Sequence, residues 1–123
     1  MEFVLAFHQP AKAQTDAASD QQASLAWKQY MGAMAAAGVM RSGAQLDSQN
    51  SRIVRLQNGE RQVQYGSSSV QDALIAGYVV IDVASLEEAL HWTARSPSSS
   101  DGLTEVIPVL PNARPKPLAF SFL

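Results

Sequence analysis

The residues that could do chemistry are few. The 123-residue chain holds two histidines and no cysteine. A thiolate metal site, a cysteine nucleophile and a disulfide framework are therefore excluded. His8 stands at the end of the first apolar segment, and strand ends beside a cleft suit a general acid or base. It has no acidic neighbour in sequence, so Asp72 or Asp82 would have to reach it through the fold. His91 falls towards the polar side of a helical segment and reads as a solvated side chain. Zinc needs three or four ligands. Two histidines without close spacing give no metal site, and no cofactor is expected. Gly66 and the three serines after it lack the Walker pattern and its lysine, so they read as a loop. No Gly-x-Ser-x-Gly elbow marks a serine hydrolase. Trp27, Tyr65 and Tyr78 are aromatic residues that could wall a small-ligand pocket, with a core or interface role as the alternative.

These residues depend on a few elements. Glu2 to His8 alternates, with Phe3, Leu5 and Phe7 on one side and Val4, Ala6 and His8 on the other, so it reads as a strand ended by Pro10. A helix follows, capped by Asp16, Ser19 or Asp20 and running to about Ala37. Its stripe is Ala23, Trp27, Tyr30, Met31 and Met34, and Gly38 fits the left-handed position after its end. Val39 to Leu46 is a weak strand with an expected kink at Gly43. Asn58-Gly59 joins Ser51–Gln57 to Glu60–Tyr65 as a two-residue hairpin, because a type I′ turn needs positive φ at both residues. That register puts Val54, Leu56, Val63 and Tyr65 on one face and predicts a half-buried hairpin. Arg52 and Arg61 fall on the same face and Arg55 on the other, a solvated edge rather than a nucleic-acid patch.

Gly66 to Asp72 is expected to be loop. Leu74 to Val83 is the most apolar stretch, and its unbroken Tyr78-Val79-Val80-Ile81 predicts burial on both faces. Ser85 and Glu88 form a capping box for a second helix whose apolar side is Leu86, Ala89, Leu90, Thr93 and Ala94, stopped by Pro97 and the serines after it. Leu103 to Leu110 is a last strand, held to an edge or bulge by Pro108.

Strand, helix, strand, hairpin, strand, helix, strand is an α+β order. With the hairpin treated as an insertion it is the ferredoxin-like β-α-β-β-α-β unit, with both helices on one face of the sheet. Residues 1–110 form one domain and 111–123 an apolar-ended tail, expected to lie on its own domain or on a partner subunit. The second sheet face also needs cover, and a second copy supplies it. A twofold homodimer with sheets packed face to face is therefore expected.

The opening Met-Glu-Phe-Val-Leu-Ala-Phe-His, Trp27 with Ala36-Ala37-Gly38-Val39, the run Gly77 to Val83 followed by Ser85 to Trp92, and Val106-Ile107-Pro108-Val109 together resemble the YCII-related family in its DGPF-type branch. The resemblance implies a dimeric α+β barrel. It also shows what is missing. Where the branch carries Asp-Gly-Pro-Phe, this chain reads Tyr65-Gly66-Ser67-Ser68, and where other members place a histidine on the first helix it has Trp27. Some members catalyse lyase-type elimination.

Net charge is −2 and the pI is about 5.5. Both argue against nucleic acid as a partner. Nothing approaches the ~20 apolar residues of a membrane span, and cytoplasm is the default compartment. Three functions fit the residues: a small homodimeric domain of unassigned biochemical role, binding a small molecule or serving as an accessory domain, a small YCII-like enzyme using His8 as general acid or base, and a structural oligomerisation module. The first is favoured, because the titratable groups of the family signatures are lost.

Overall fold

The computed structural model of the protein describes residues 1–10, 17–66, 69–70 and 73–111. Among the described residues ten strands and α-helices follow one another: β1 (Glu2–Pro10), α1 (Ala17–Ala37), β2 (Met40–Gln45), β3 (Arg52–Gln57), β4 (Glu60–Tyr65), β5 (Ser69–Val70), β6 (Ala73–Asp82), α2 (Leu86–Arg95), α3 (Ser98–Asp101) and β7 (Leu103–Pro108), with one 3-10 turn, Ser48–Asn50, between β2 and β3. The main sheet has the order β2-β6-β1-β7, with β5 paired to β6. Each pairing is antiparallel. With β3–β4 set aside as a separate two-stranded sheet, this is the ferredoxin-like α+β arrangement expected from the element order.

The core lies between one sheet face and the helices. Phe3, Leu5 and Phe7 of β1 and Val79 and Ile81 of β6 meet Tyr30 and Met34 of α1 and Ala89 and Trp92 of α2. Alternation along β1 puts its three largest residues on this face. The Tyr30 hydroxyl donates to the Trp92 carbonyl at 2.8 Å and ties the two helices together. Ala23, at the head of the predicted stripe, is exposed. On α2 the buried residues are Ala89, Trp92 and Thr93, whereas Leu86 and Leu90 are exposed. The apolar side drawn from the sequence is thus rotated, because Trp92 turns the helix onto the core.

Local signals place the boundaries. Gly38 takes a φ of 70° after α1, and Asn58 and Gly59 take 53° and 80°. The hairpin register follows, with Val54 opposite Val63 and Gln57 opposite Glu60. Ser85 caps α2 by accepting from Glu88 N–H, while the Glu88 carboxylate accepts from Ala84 N–H. Pro108 sits on β7, an edge strand, as its missing N–H requires.

Several expectations are corrected. β1 runs on through Pro10, so His8 lies inside the strand, just past a register shift against β6. α1 begins at Ala17, so Ser19 and Asp20 lie within it rather than capping it, and Asp16 is outside the described residues. The irregularity in β2 falls between Met40 and Ser42, not at Gly43. Gly43 is needed for close approach instead: a Cβ there would lie 2.7 Å from the Tyr78 carbonyl oxygen. The segment expected as loop contains the two-residue strand β5. After Pro97 the chain makes one more helical turn, α3, before β7.

The hairpin is not half-buried. Val54, Leu56, Val63 and Tyr65 are 57%, 73%, 51% and 71% exposed in the single chain. The second face of the main sheet is only partly covered as well, with Val4, Tyr78 and Val80 half-buried and Ile107 exposed. Alternation identifies a face that wants cover, but not what covers it. Of the tail, only Pro111 belongs to the described residues.

Candidate functional site

A cleft of about 670 Å³ lies between α1 and the β2–β6 edge of the sheet. That lies within the roughly 300–1,000 Å³ usual for small-molecule sites. α1 supplies Ser24, Trp27, Lys28 and Met31 to one wall. These are neighbours at three- and four-residue steps on one helix face. Phe7 closes the inner end, and the strand edge supplies the other wall.

The inner wall is aromatic and fixed. Phe7 and Trp27 meet edge to face with centroids 4.9 Å apart, and Tyr30 stands 6.1 Å from Phe7 and 5.9 Å from Trp27. Edge-to-face pairing suits the ring quadrupoles and holds the Trp27 indole in place. Burial pushes the Tyr30 phenol well above its ordinary range, with the Arg95 charge opposing. That phenol therefore acts as a neutral hydrogen-bond donor.

The rim is cationic. Lys28 and Arg41 are the charged side chains in the lining, and no carboxylate shares it among the described residues. Arg41 is anchored: its Nη1 donates to the Gly38 carbonyl at 2.9 Å, and Nη2 stands 3.6 Å from Asp82. A guanidinium at the last carbonyls of α1 also answers the negative end of the helix dipole. Asp82 is held in turn by the N-terminal ammonium at 3.1 Å. That hydrogen bond, then the ammonium charge, and more weakly Arg41, hold its carboxyl below the usual range.

The expected site residues are not gathered in one place. Trp27 and Tyr78 line the cleft. Tyr65 does not; it stands on the exposed hairpin face with the Arg52 guanidinium 4.0 Å above its ring. His8 does not either. Its chain neighbours Phe7 and Gln9 line the cleft, while His8 is 4% exposed on the opposite side of the strand. Neither ring nitrogen makes a hydrogen bond among the described residues. Among the described residues the nearest carboxylate is Glu105, with Oε1 3.5 Å from His8 Nε2, and not Asp82, which lies at the far end of β6. Asp72 lies outside the described residues. His91 is exposed, as expected.

Three features escaped the sequence reading. Lys28 and Arg41 carry no motif, and become a pair only when α1 and β2 are brought side by side. Glu105 meets His8 because β7 runs antiparallel beside β1. The third is a knot of hydroxyls. Ser96, Ser98 and Ser99 converge on Thr104 Oγ1 at 2.7, 2.6 and 3.0 Å, and Ser96 and Ser99 donate to the Thr93 carbonyl. It pins α3 to β7 and saturates buried polar atoms.

A sequence model of the YCII-related domain matches residues 1–113. The chain belongs to the YCII-related family. Among solved structures it is similar to 5-chloro-2-hydroxyhydroquinone dehydrochlorinase (TftG) from Burkholderia phenoliruptrix, determined in complex with 2,5-dihydroxybenzoquinone. The two are 13% identical, with a TM-score of 0.50, over 89% of this chain and 94% of that one. At that identity the likeness establishes the fold. No curated protein matches the chain by sequence. Among the described residues no helix is long and apolar enough to cross a membrane, and no three His, Asp or Glu side chains group to hold a metal ion.

Proposed function

We propose that this protein is a small-molecule-binding domain whose ligand is a compact, planar anion. The carrying observation is the charge of the cleft: Lys28 and Arg41 at its rim, with no carboxylate among the described lining residues. The Trp27 indole offers a flat wall, and cations facing a partly dry cleft favour a carboxylate or phenolate over a neutral ring. The 2,5-dihydroxybenzoquinone in the TftG structure is a compact, planar hydroxyquinone, and a shared fold makes the comparison worth testing. Thermal shift decides the matter. Benzoate-type and hydroxyquinone-type anions should raise the melting temperature, since a ligand selective for the native state stabilises it. Neutral isosteres should not, and Lys28→Glu should abolish the shift. Equal shifts from the neutral isosteres, or none from any anion, would overturn the reading.

The domain works as a cytoplasmic homodimer, with residues 1–110 as its folded unit. What supports the dimer is the half-covered outer sheet face around Val4, Val80 and Ile107. Its place in the DGPF-type branch, with a worn signature, rests on the Gly77–Val83 strand and the helix after it.

One observation favours catalysis as a second reading. His8 Nε2 stands 3.5 Å from the Glu105 carboxylate, outside hydrogen-bond length but near enough for the pair to tighten into an acid/base dyad around a substrate. A turnover lost in His8→Gln and in Glu105→Gln, but retained in Lys28→Gln, would select it over simple binding in the cleft.

A further inference from the structure

The β3–β4 hairpin is an arm. Among the described residues, its substantial packing is between its own two strands. A lone two-stranded hairpin is marginal in water, and one with an apolar face needs a surface to lie on. Arg52, Val54, Leu56, Arg61, Val63 and Tyr65 share one face, since cross-strand partners project to the same side. That face is therefore an apolar strip flanked by two cations.

Its charge indicates what covers it. Two such faces laid on each other would oppose four arginines, which disfavours arm-to-arm pairing. The outer rim of the main sheet has the opposite character. On β7, Ile107 is 42% exposed, and beside it on the same face stands Glu105, its side chain 54% exposed. The sheet order supplies the geometry. β2, from which the arm departs, is one edge strand and β7 is the other. When two such sheets face each other across a twofold axis parallel to the strands, β2 of one copy lies opposite β7 of its mate.

We infer that the hairpin is a clasp. The arm of each copy lays Val54, Leu56 and Val63 on the second copy's β7 rim around Ile107, with Arg61 or Arg52 towards Glu105. Two reciprocal arms close the assembly. This rests on the homodimer reading above and adds the element that fastens it.

The test uses the full chain, by sedimentation velocity over a dilution series. Leu56→Asp should raise the dimer dissociation constant at least about tenfold, while Gln62→Asp, on the other hairpin face, should leave it unchanged. Leu56 is 73% exposed in the single chain, so the substitution leaves the monomer fold intact, and far-UV circular dichroism checks this. The chain has no native cysteine. A short bis-maleimide should therefore join Val63→Cys in one chain to Ile107→Cys in another. A wild-type dimer that Leu56→Asp leaves unchanged overturns the clasp and spares the dimer, as do crosslinks that join Val63→Cys only to itself. A wild-type monomer at micromolar concentration overturns both.

Discussion

Asp82 shows how much one surface carboxylate can report. It accepts from the N-terminal ammonium and faces Arg41, and these partners lower its native pKa. The unfolded chain would return it to about 3.9. A carboxyl depressed in the native state contributes stability that is complete above the unfolded value and lost as pH falls through the native one. Melting temperature should therefore drop below about pH 4. In Asp82→Asn the part of that drop owed to this residue should vanish, leaving a flatter acid limb in a pH series of thermal melts. Tyr30 poses a different question, because its hydroxyl is neutral at any ordinary pH and bonds the Trp92 carbonyl inside the core. Tyr30→Phe should cost about 1 kcal/mol, read from urea unfolding, with no change in pH dependence. Lys28, in contrast, is exposed. Substituting it should spare stability and reach only the binding of the proposed anion.

At the scale of the element, what could be read from the sequence was whatever one segment decides alone. Asn58-Gly59 sets the hairpin register because only residues tolerant of positive φ can make that turn. Ser85 and Glu88 set the start of α2 because the orphan N–H groups of a first turn need acceptors. Ser85→Ala should cost about 1 kcal/mol, measurable in the same urea experiment. What could not be read needed two segments. The Lys28–Arg41 rim exists only once α1 crosses beside β2, and His8 and Glu105 come from opposite ends of the chain. The serines around Pro97 looked like a helix stop, because polar residues without periodicity read as loop. α2 does stop there, at Arg95, and the fold also makes the serines a lock, with Thr104 as the shared partner of three hydroxyls. Thr104→Val keeps the shape and removes that partner. It should cost about 1–3 kcal/mol, because Ser98 is fully buried and its hydroxyl would be stranded.

The whole molecule is built from two surfaces of unequal finish. One sheet face is packed by α1 and α2 down to Leu5, Met34 and Ile81, none of which is exposed at all. The other carries Val4, Val80 and Ile107 with only partial cover, and the hairpin holds its own exposed apolar strip. In a lone chain both would face water at a cost of roughly 25 cal/mol for each Å² of apolar area left exposed. Association into the proposed dimer would remove that cost from the native state and do nothing for the unfolded chain. Stability should therefore follow mass action: the melting temperature should climb with protein concentration, whereas a monomer's would stay level. Scanning calorimetry across a hundredfold dilution, on the order of 1 to 100 μM, distinguishes the two. The same scans on Leu56→Asp sharpen the argument. If the arm fastens the pair, the variant's melting temperature should lose most of its dependence on concentration and settle near the wild-type value at high dilution.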